Sequence, residues 1–420
     1  MVTSSLALSA APLERAGASR ACAGLLIFSI VFQKFAIPGT HGGVGLSLVA
    51  LLLVALWLLL RDELRICPQT AMAGALFFAT SAISVAISAS PRLSTASWYL
   101  LLVVQAPLAL CLARDAVDYR ALLRLLSTLG GLLAVVGLAQ LAVQAVMGPD
   151  VAFWLDYHIP SGVALQGYNQ LNGITWDATV FKSNGVFFSE PSYFSQFLAI
   201  CLLAELAVGA RAWRLLLIGA GLLGTYSGTG LITLALFLPF HVPRHAARGI
   251  LIAVALLVVV GLVAGSSLHL DALTGRIDEV GAVGTSGYAR FVSIFEFLRQ
   301  ALSKDVTTLL FGRGPGTVTE FHASRPYEVF APTYAKVLYE YGVVGFAAYG
   351  AFLWTAVLRR GPLLAWPVAF TFVLLGGYLQ DSAIVAWMLV IAGWHKLSVA
   401  QRHGGGEAAS SAGARQEGRG

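Results

Sequence analysis

The most polar and aromatic stretch of the chain runs Phe181-Lys182-Ser183-Asn184-Gly185-Val186-Phe187-Phe188-Ser189-Glu190-Pro191-Ser192-Tyr193-Phe194-Ser195-Gln196 and places a carboxylate beside a proline. Two roles are open to Glu190. It can belong to a helix start, with Ser189 as cap, Pro191 in the first turn and the carboxylate at the positive end of the dipole. Alternatively it is a general base or a sugar-binding carboxylate at a membrane surface.

A second group of candidates lies in Gly275-Arg276-Ile277-Asp278-Glu279, Gly287-Tyr288-Ala289-Arg290 and Phe311-Gly312-Arg313-Gly314-Pro315-Gly316. Arg276, Arg290 and Arg313 offer planar donor forks of the kind that clamp a diphosphate. Against this, Asp271, Asp278, Glu279, Glu296 and Glu320 are available to pair with them in a nearly charge-balanced loop. The glycines at 312, 314 and 316 read as a tight turn, since no strand precedes and no Lys-Ser/Thr pair follows. His322 is a second candidate base, with a solvated side chain as the alternative; Asp156 and His158 are weaker candidates. Trp154, Tyr157, Tyr168, Trp176 and Tyr193 could lie against sugar faces, apolar ring beside polar tip. The glycines of Tyr334-Ala335-Lys336-Val337-Leu338-Tyr339-Glu340-Tyr341-Gly342-Val343-Val344-Gly345 would permit close helix packing. With no HExxH, DxD or cysteine pair, metal-independent chemistry without a cofactor is expected.

The elements that position these groups are membrane helices. Of 420 residues 57% are hydrophobic and 11% charged, where soluble domains carry roughly 25% charged residues, so a water-soluble fold is excluded. Mean hydropathy is +0.77. Apolar runs predict an all-α polytopic integral membrane protein with about twelve crossings: 21–37, 43–60, 71–89, 97–113, 121–147, 186–209, 214–226, 229–242, 249–266, 334–358, 363–379 and 382–397. Backbone groups in lipid must be satisfied within each segment, and no alternating ten-residue pattern points to a barrel. The first apolar stretch lacks a cleavage site and reads as a helix. Ser227-Gly228-Thr229-Gly230 divides 213–241 into two short helices.

The net charge of +6 points to topology, not to a nucleic-acid partner. Arg15 and Arg20, Arg61 and Arg65, Arg114, Arg120 and Arg124, Arg211 and Arg214, Arg244 and Arg248, Arg359 and Arg360, Lys396 and Arg402 flank successive segments on one side, which is therefore cytoplasmic. Both termini then lie inside, residues 1–20 as a lead segment, 21–398 as one membrane domain and 399–420 as a disordered tail. Two long loops, 148–185 and 267–333, fall outside, and loops of that length are usually functional. Within the second, Phe291, Ile294, Phe295 and Leu298 share one face of a helix that suits the membrane surface or the bundle. Cys22, Cys67, Cys111 and Cys201 show no disulfide or metal spacing.

Taken in order, Asn184-Gly185-Val186-Phe187-Phe188-Ser189-Glu190-Pro191-Ser192, Ser227-Gly228-Thr229-Gly230, the Arg290 helix with Leu310-Phe311-Gly312-Arg313-Gly314-Pro315-Gly316, and Leu338-Tyr339-Glu340-Tyr341-Gly342-Val343-Val344-Gly345 resemble the O-antigen polymerase and O-antigen ligase superfamily over roughly residues 20 to 398. The resemblance implies a GT-C-like inner-membrane glycosyltransferase that joins undecaprenyl-diphosphate-linked oligosaccharides on the periplasmic face, working beside chain-length regulator and flippase proteins. It implies that Arg276 and Arg290 bind diphosphate, and that Lys182 stands where the family commonly has arginine, giving a point charge in place of a fork. The Glu-Pro-Ser form is closer to exopolysaccharide polymerases. A ligase that passes finished polymer to a lipid or protein acceptor is the alternative; a transporter or flippase would carry more charge at mid-membrane than Glu205.

Overall fold

The computed structural model describes residues 7–40, 42–113, 117–168, 171–174, 180–242, 288, 292–302, 305–318, 331–359 and 361–393. These are overwhelmingly helical. The elements are α1 (Ala7–Val31), α2 (Ser47–Leu60), β1 (Leu64–Ile66), α3 (Pro68–Ile87), α4 (Thr95–Gln105), β2 (Leu110–Leu112), α5 (Tyr119–Met147), α6 (Pro149–Ala152), α7 (Trp154–His158), α8 (Pro191–Val208), α9 (Ala212–Gly224), α10 (Gly228–His241), α11 (Ser293–Leu302), α12 (Val306–Phe311), α13 (Thr333–Leu353), α14 (Ala365–Phe370) and α15 (Ser382–Ala392). Prolines open α3 and α8, where a missing N–H costs nothing. Aspartates 118, 305 and 381 cap α5, α12 and α15 by accepting first-turn N–H groups.

Among the described residues four helical stretches are long and apolar enough to cross a membrane: Pro68–Ile87, Tyr119–Met147, Pro191–Val208 and Thr333–Leu358. Shorter apolar helices include Gly17–Val31, Ser47–Leu60, Ala212–Gly224, Gly228–His241 and Ser382–Ala392. Leu52, Leu53, Leu56 and Leu60 line an exposed face of α2, and such an apolar surface is stable against lipid, not water. The protein is therefore an all-α membrane protein. The expected crossing 249–266, the loop segment 267–287 and the tail 399–420 lie outside the described residues.

Several expected boundaries are corrected. The first helix stops at Val31, so Lys34 belongs to a turn and Phe35 to a bridge with Ala164, and neither to a helix. Segment 97–113 is not one helix: Pro107 lacks an N–H, α4 gives way to a tight turn over Ala106–Ala109, and β2 pairs antiparallel with β1. Between α9 and α10 the chain breaks as expected, with Tyr226 at φ 47°. Helix α11 turns a different face inward: Ile294 and Phe297 are buried while Phe295 is 71% exposed. Phe297 stacks on Tyr339, ring centroids 4.5 Å apart, which draws the helix onto α13.

Helix α8 is the axis of the fold. Every residue from Pro191 to Leu206 is buried against α5, α9 and α10. Polar side chains tie it to its surroundings: Ser195 donates to the Ser192 carbonyl (2.8 Å), Gln196 accepts from Tyr378 (2.6 Å) while its Nε2 has no partner, and Glu205 accepts from Ser127 and from the Arg211 N–H (2.9 Å). The wholly buried α15 packs on α1 and α2, and α13 packs on α3.

Two glycine segments interlock at α13. Arg313 N–H donates to the Tyr339 carbonyl (3.1 Å) and Gly314 N–H to that of Glu340 (2.9 Å). Gly312 (φ 75°, ψ −167°) and Gly342 (φ 67°, ψ −172°) adopt backbone open essentially to glycine alone. A Cβ on Gly312 would strike the Glu340 carbonyl, and one on Gly342 the Leu310 carbonyl. Gly342→Ala or Gly312→Ala should lower stability by about 3 kcal/mol. Gly350→Ala, in the same helix with nothing within 4 Å of its Cβ, should be neutral or stabilising. Thermal unfolding of the purified protein in detergent distinguishes these outcomes.

Candidate functional site

At the start of α8 the backbone of Glu190 is extended (φ −146°, ψ 155°) and its carbonyl accepts from the Phe194 N–H at 3.2 Å. Glu190 is thus the capping position by backbone, and its side chain makes no capping bond. The expected role of Ser189 as cap is corrected: its N–H donates to Gln33 Oε1 (3.1 Å) and its hydroxyl faces the Gln33 carbonyl (3.4 Å). Ser192 donates to Glu190 Oε2 at 2.8 Å. Beneath this turn the α9–α10 break docks on α8. Thr229 and Ser195 hydroxyls meet at 3.1 Å, and Gly230 N–H donates to Ser195 Oγ at 3.2 Å.

Beside Glu190 lies a cluster of tyrosines around Asp381. Its Oδ2 accepts from Tyr193 (2.9 Å) and Tyr168 (3.1 Å), while Oδ1 accepts from the N–H groups of Ala383 (2.9 Å) and Ile384 (3.1 Å). Tyr193 also stacks edgewise on Tyr378, centroids 4.4 Å apart. Burial raises the Asp381 carboxyl above its ordinary range, opposed by these four donors. Burial, aided by the neighbouring carboxylate, pushes the Tyr168 phenol well up. Two donors on each oxygen fill the accepting capacity of Asp381. It is a structural hub, and Glu190, which accepts from Ser192, is the candidate carboxylate beside it.

The loop carrying Glu190 is pinned from below. Lys34, fully buried, pairs with Asp156 of α7 at 2.5 Å. Asn184 Nδ2 leans on the same carboxylate (3.3 Å), and Asn184 Oδ1 accepts from Gln140 of α5 (3.0 Å). Gln144 holds Phe181 by both amide atoms, at 2.7 and 2.9 Å.

The remaining candidates are spread out. Tyr193 is buried and Tyr168 half-buried, both with phenols on Asp381. Trp154 and Tyr157 are exposed on α7, Trp154 stacked on His158 at 4.8 Å. Lys182 is half-buried, its N–H donating to the Asn172 carbonyl (2.7 Å). Arg313 sits in the glycine interlock, its guanidinium 5.0 Å over the Tyr339 ring. Arg276, Arg290, Trp176 and His322 lie outside the described residues.

Sequence reasoning passed over Lys34, Gln33, Asp381 and Glu340. Lys34 and Glu340 are charges within apolar runs, and Asp381 follows Gln380 in the short gap between expected spans; each is the intramembrane or interfacial ionisable residue that carries information by default. Glu340 is fully buried and accepts from the Gly316 N–H at 2.9 Å, which joins it to the glycine interlock.

Lys34→Met, which strands the buried Asp156 carboxylate, should cost about 3–5 kcal/mol. Adding Asp156→Leu should recover at least about 1 kcal/mol of that loss, a coupling read from a double-mutant cycle in thermal unfolding.

Comparison with curated proteins returns no match. A family model described as WcaD colanic acid polymerase matches residues 22–373, spanning both glycine segments, the Glu190 turn and the α9–α10 break. That match covers most of the chain: it belongs to the WcaD colanic acid polymerase family, and it is a membrane-embedded, glycosyltransferase-type polymerase of repeat units in exopolysaccharide biosynthesis.

Proposed function

We propose that the protein joins oligosaccharide repeats carried on undecaprenyl diphosphate, on the periplasmic face of the inner membrane, without a metal. In this reading about twelve crossings build a GT-C-like domain over 21–398 with both termini cytoplasmic. The long loops then lie outside, where lipid-linked sugars are available and nucleotides are not. An acceptor hydroxyl attacks the anomeric carbon of the donor; the bond from that carbon to the diphosphate oxygen breaks, and undecaprenyl diphosphate leaves with the bonding pair. Such a leaving group needs its charge stabilised more than it needs a proton. Arg276, Arg290, Arg313 and Lys182 are assigned to it.

The proton of the acceptor hydroxyl goes to Glu190, with His322 as the second candidate. What carries the assignment is the start of α8, where Glu190 ends the polar loop beside the Asp381 tyrosine cluster and its carboxylate accepts from Ser192 (2.8 Å). Exposed Trp154 and Tyr157 supply ring faces for sugars. Chain-length regulator and flippase proteins are the expected partners.

Glu190→Gln, at matched protein level in a strain lacking the native gene, should cut polymer formation by about 10²–10⁴-fold, the scale of a lost general base. Single lipid-linked repeats should accumulate. Normal polymer would reduce Glu190 to a helix start, and accumulation of finished lipid-linked polymer would favour a ligase. Arg290→Ala with unchanged long-chain polymer would remove that arginine from the diphosphate site.

A further inference from the structure

A cavity of 210 Å³ opens beside the Asp381 hub, between the α1–α2 connection, the first long loop and the start of α15. Its walls include Gln33, Ser47, Leu100, Tyr168, Asp381 and Ser382, and the exposed Gln166 and Gly167 form the rim. Gln33 is only 2% exposed, yet its Nε2 has no hydrogen-bond partner. The amide cannot turn over to relieve this, because Oε1 is held by the Ser189 N–H at 3.1 Å. A buried donor without a partner costs about 1–3 kcal/mol, so a group that enters the cavity far enough to accept from it is favoured.

Size and charge narrow that group. The cavity is roughly seven times the share of one liquid water and below the roughly 300–1,000 Å³ of pockets for drug-sized ligands, which suits one sugar ring and not a whole repeat. Among the lining residues the one charged group is Asp381, with no cation to balance an anionic ligand. Lys336, which is not part of the lining, donates to the lining residue Gln380 at Oε1 (3.0 Å). Leu100 and the Tyr168 ring offer apolar contact to C–H faces, while Ser47 and Ser382 can both give and accept hydrogen bonds.

We propose that this cavity is a subsite for a single uncharged pyranose of the repeat unit, one hydroxyl of which accepts from Gln33 Nε2. The inference takes its ligand class from the polymerase reading and adds a position and a selectivity: neutral ring here, diphosphate elsewhere. Through Ser189 the residue that reads the sugar is fixed by the neighbour of Glu190, so occupancy of the cavity and placement of the candidate base share one turn of backbone.

The test is saturation-transfer NMR on the full-length protein in nanodiscs. The probes are neutral oligosaccharides from partial acid hydrolysis of the host's own polymer, with methyl glucuronide as the anionic counterpart. Saturation should reach ring protons of the neutral fragments and not methyl glucuronide. Gln33→Met should weaken binding at least tenfold. So should Gly45→Val, which fills the cavity from another wall, where a Cβ meets Ser382 Oγ at 3.3 Å. Glu190→Gln should bind within twofold of wild type while failing to polymerise. The proposal is overturned if wild type does not bind, if methyl glucuronide binds as well, or if either cavity variant with wild-type unfolding temperature binds as wild type. Normal polymerisation by Glu190→Gln alongside the expected binding pattern would sink the base assignment and support the subsite.

Discussion

The carboxylate of Asp381 draws three remote parts of the chain to one point. It ends the turn before α15, receives the phenol of Tyr193 from the first turn of α8, and receives that of Tyr168 from the first long loop. In a protein so apolar, hydrophobic burial alone discriminates weakly between one helix arrangement and another, because lipid is as apolar as a leucine face. Directional bonds from buried polar groups supply the discrimination. Asp381 fixes the loop over the bundle, the Lys34–Asp156 pair fixes the loop's base, and the Glu190 turn lies between these two anchors.

The same economy governs the short segments that carry family resemblance. They work in pairs. The turn before α8 and the break before α10 meet through Ser192, Ser195, Thr229 and Gly230. The Phe311–Gly316 turn and the middle of α13 meet backbone to backbone, and Ser84 and Ser88 of the α3 end close the joint by donating to the Glu340 and Arg313 carbonyls. Each pair bridges a long stretch of chain with small residues, which lets carbonyls and amides approach where larger side chains would hold them apart.

What the sequence made legible follows from which signals are local. Apolar runs, the Ser227–Gly230 break, Pro191 as a first-turn residue and the tight glycine turn are short-range patterns, and the fold contains them. Ser189 could not be read in the same way: it has the composition of a cap, but its N–H and hydroxyl answer to Gln33 of the α1–α2 connection, 156 positions away. The inward face of α11 depended on Tyr339, and the short β1–β2 ribbon on two segments that meet only in space. For the site, aromatic and carboxylate composition drew attention to the first loop. It could not separate Tyr193, buried with its phenol held, from Trp154, open on α7, since both are aromatic residues of one polar region.

The burial of α15 bears on how the protein is made. Trp387 Nε1 donates to Ser29 Oγ at 2.9 Å across 358 positions, and the Leu112 N–H donates to the Gly393 carbonyl at 2.9 Å. Synthesis runs in one direction, so α1 and β2 leave the ribosome long before their partners exist. Through most of elongation Ser29 of α1 waits without its Trp387 partner, and the last described helix packs on elements made before it. Assembly of this bundle is therefore completed from its end, and a nascent chain that stops short of α15 has the loops but not the Asp381 hub that holds the first of them in place.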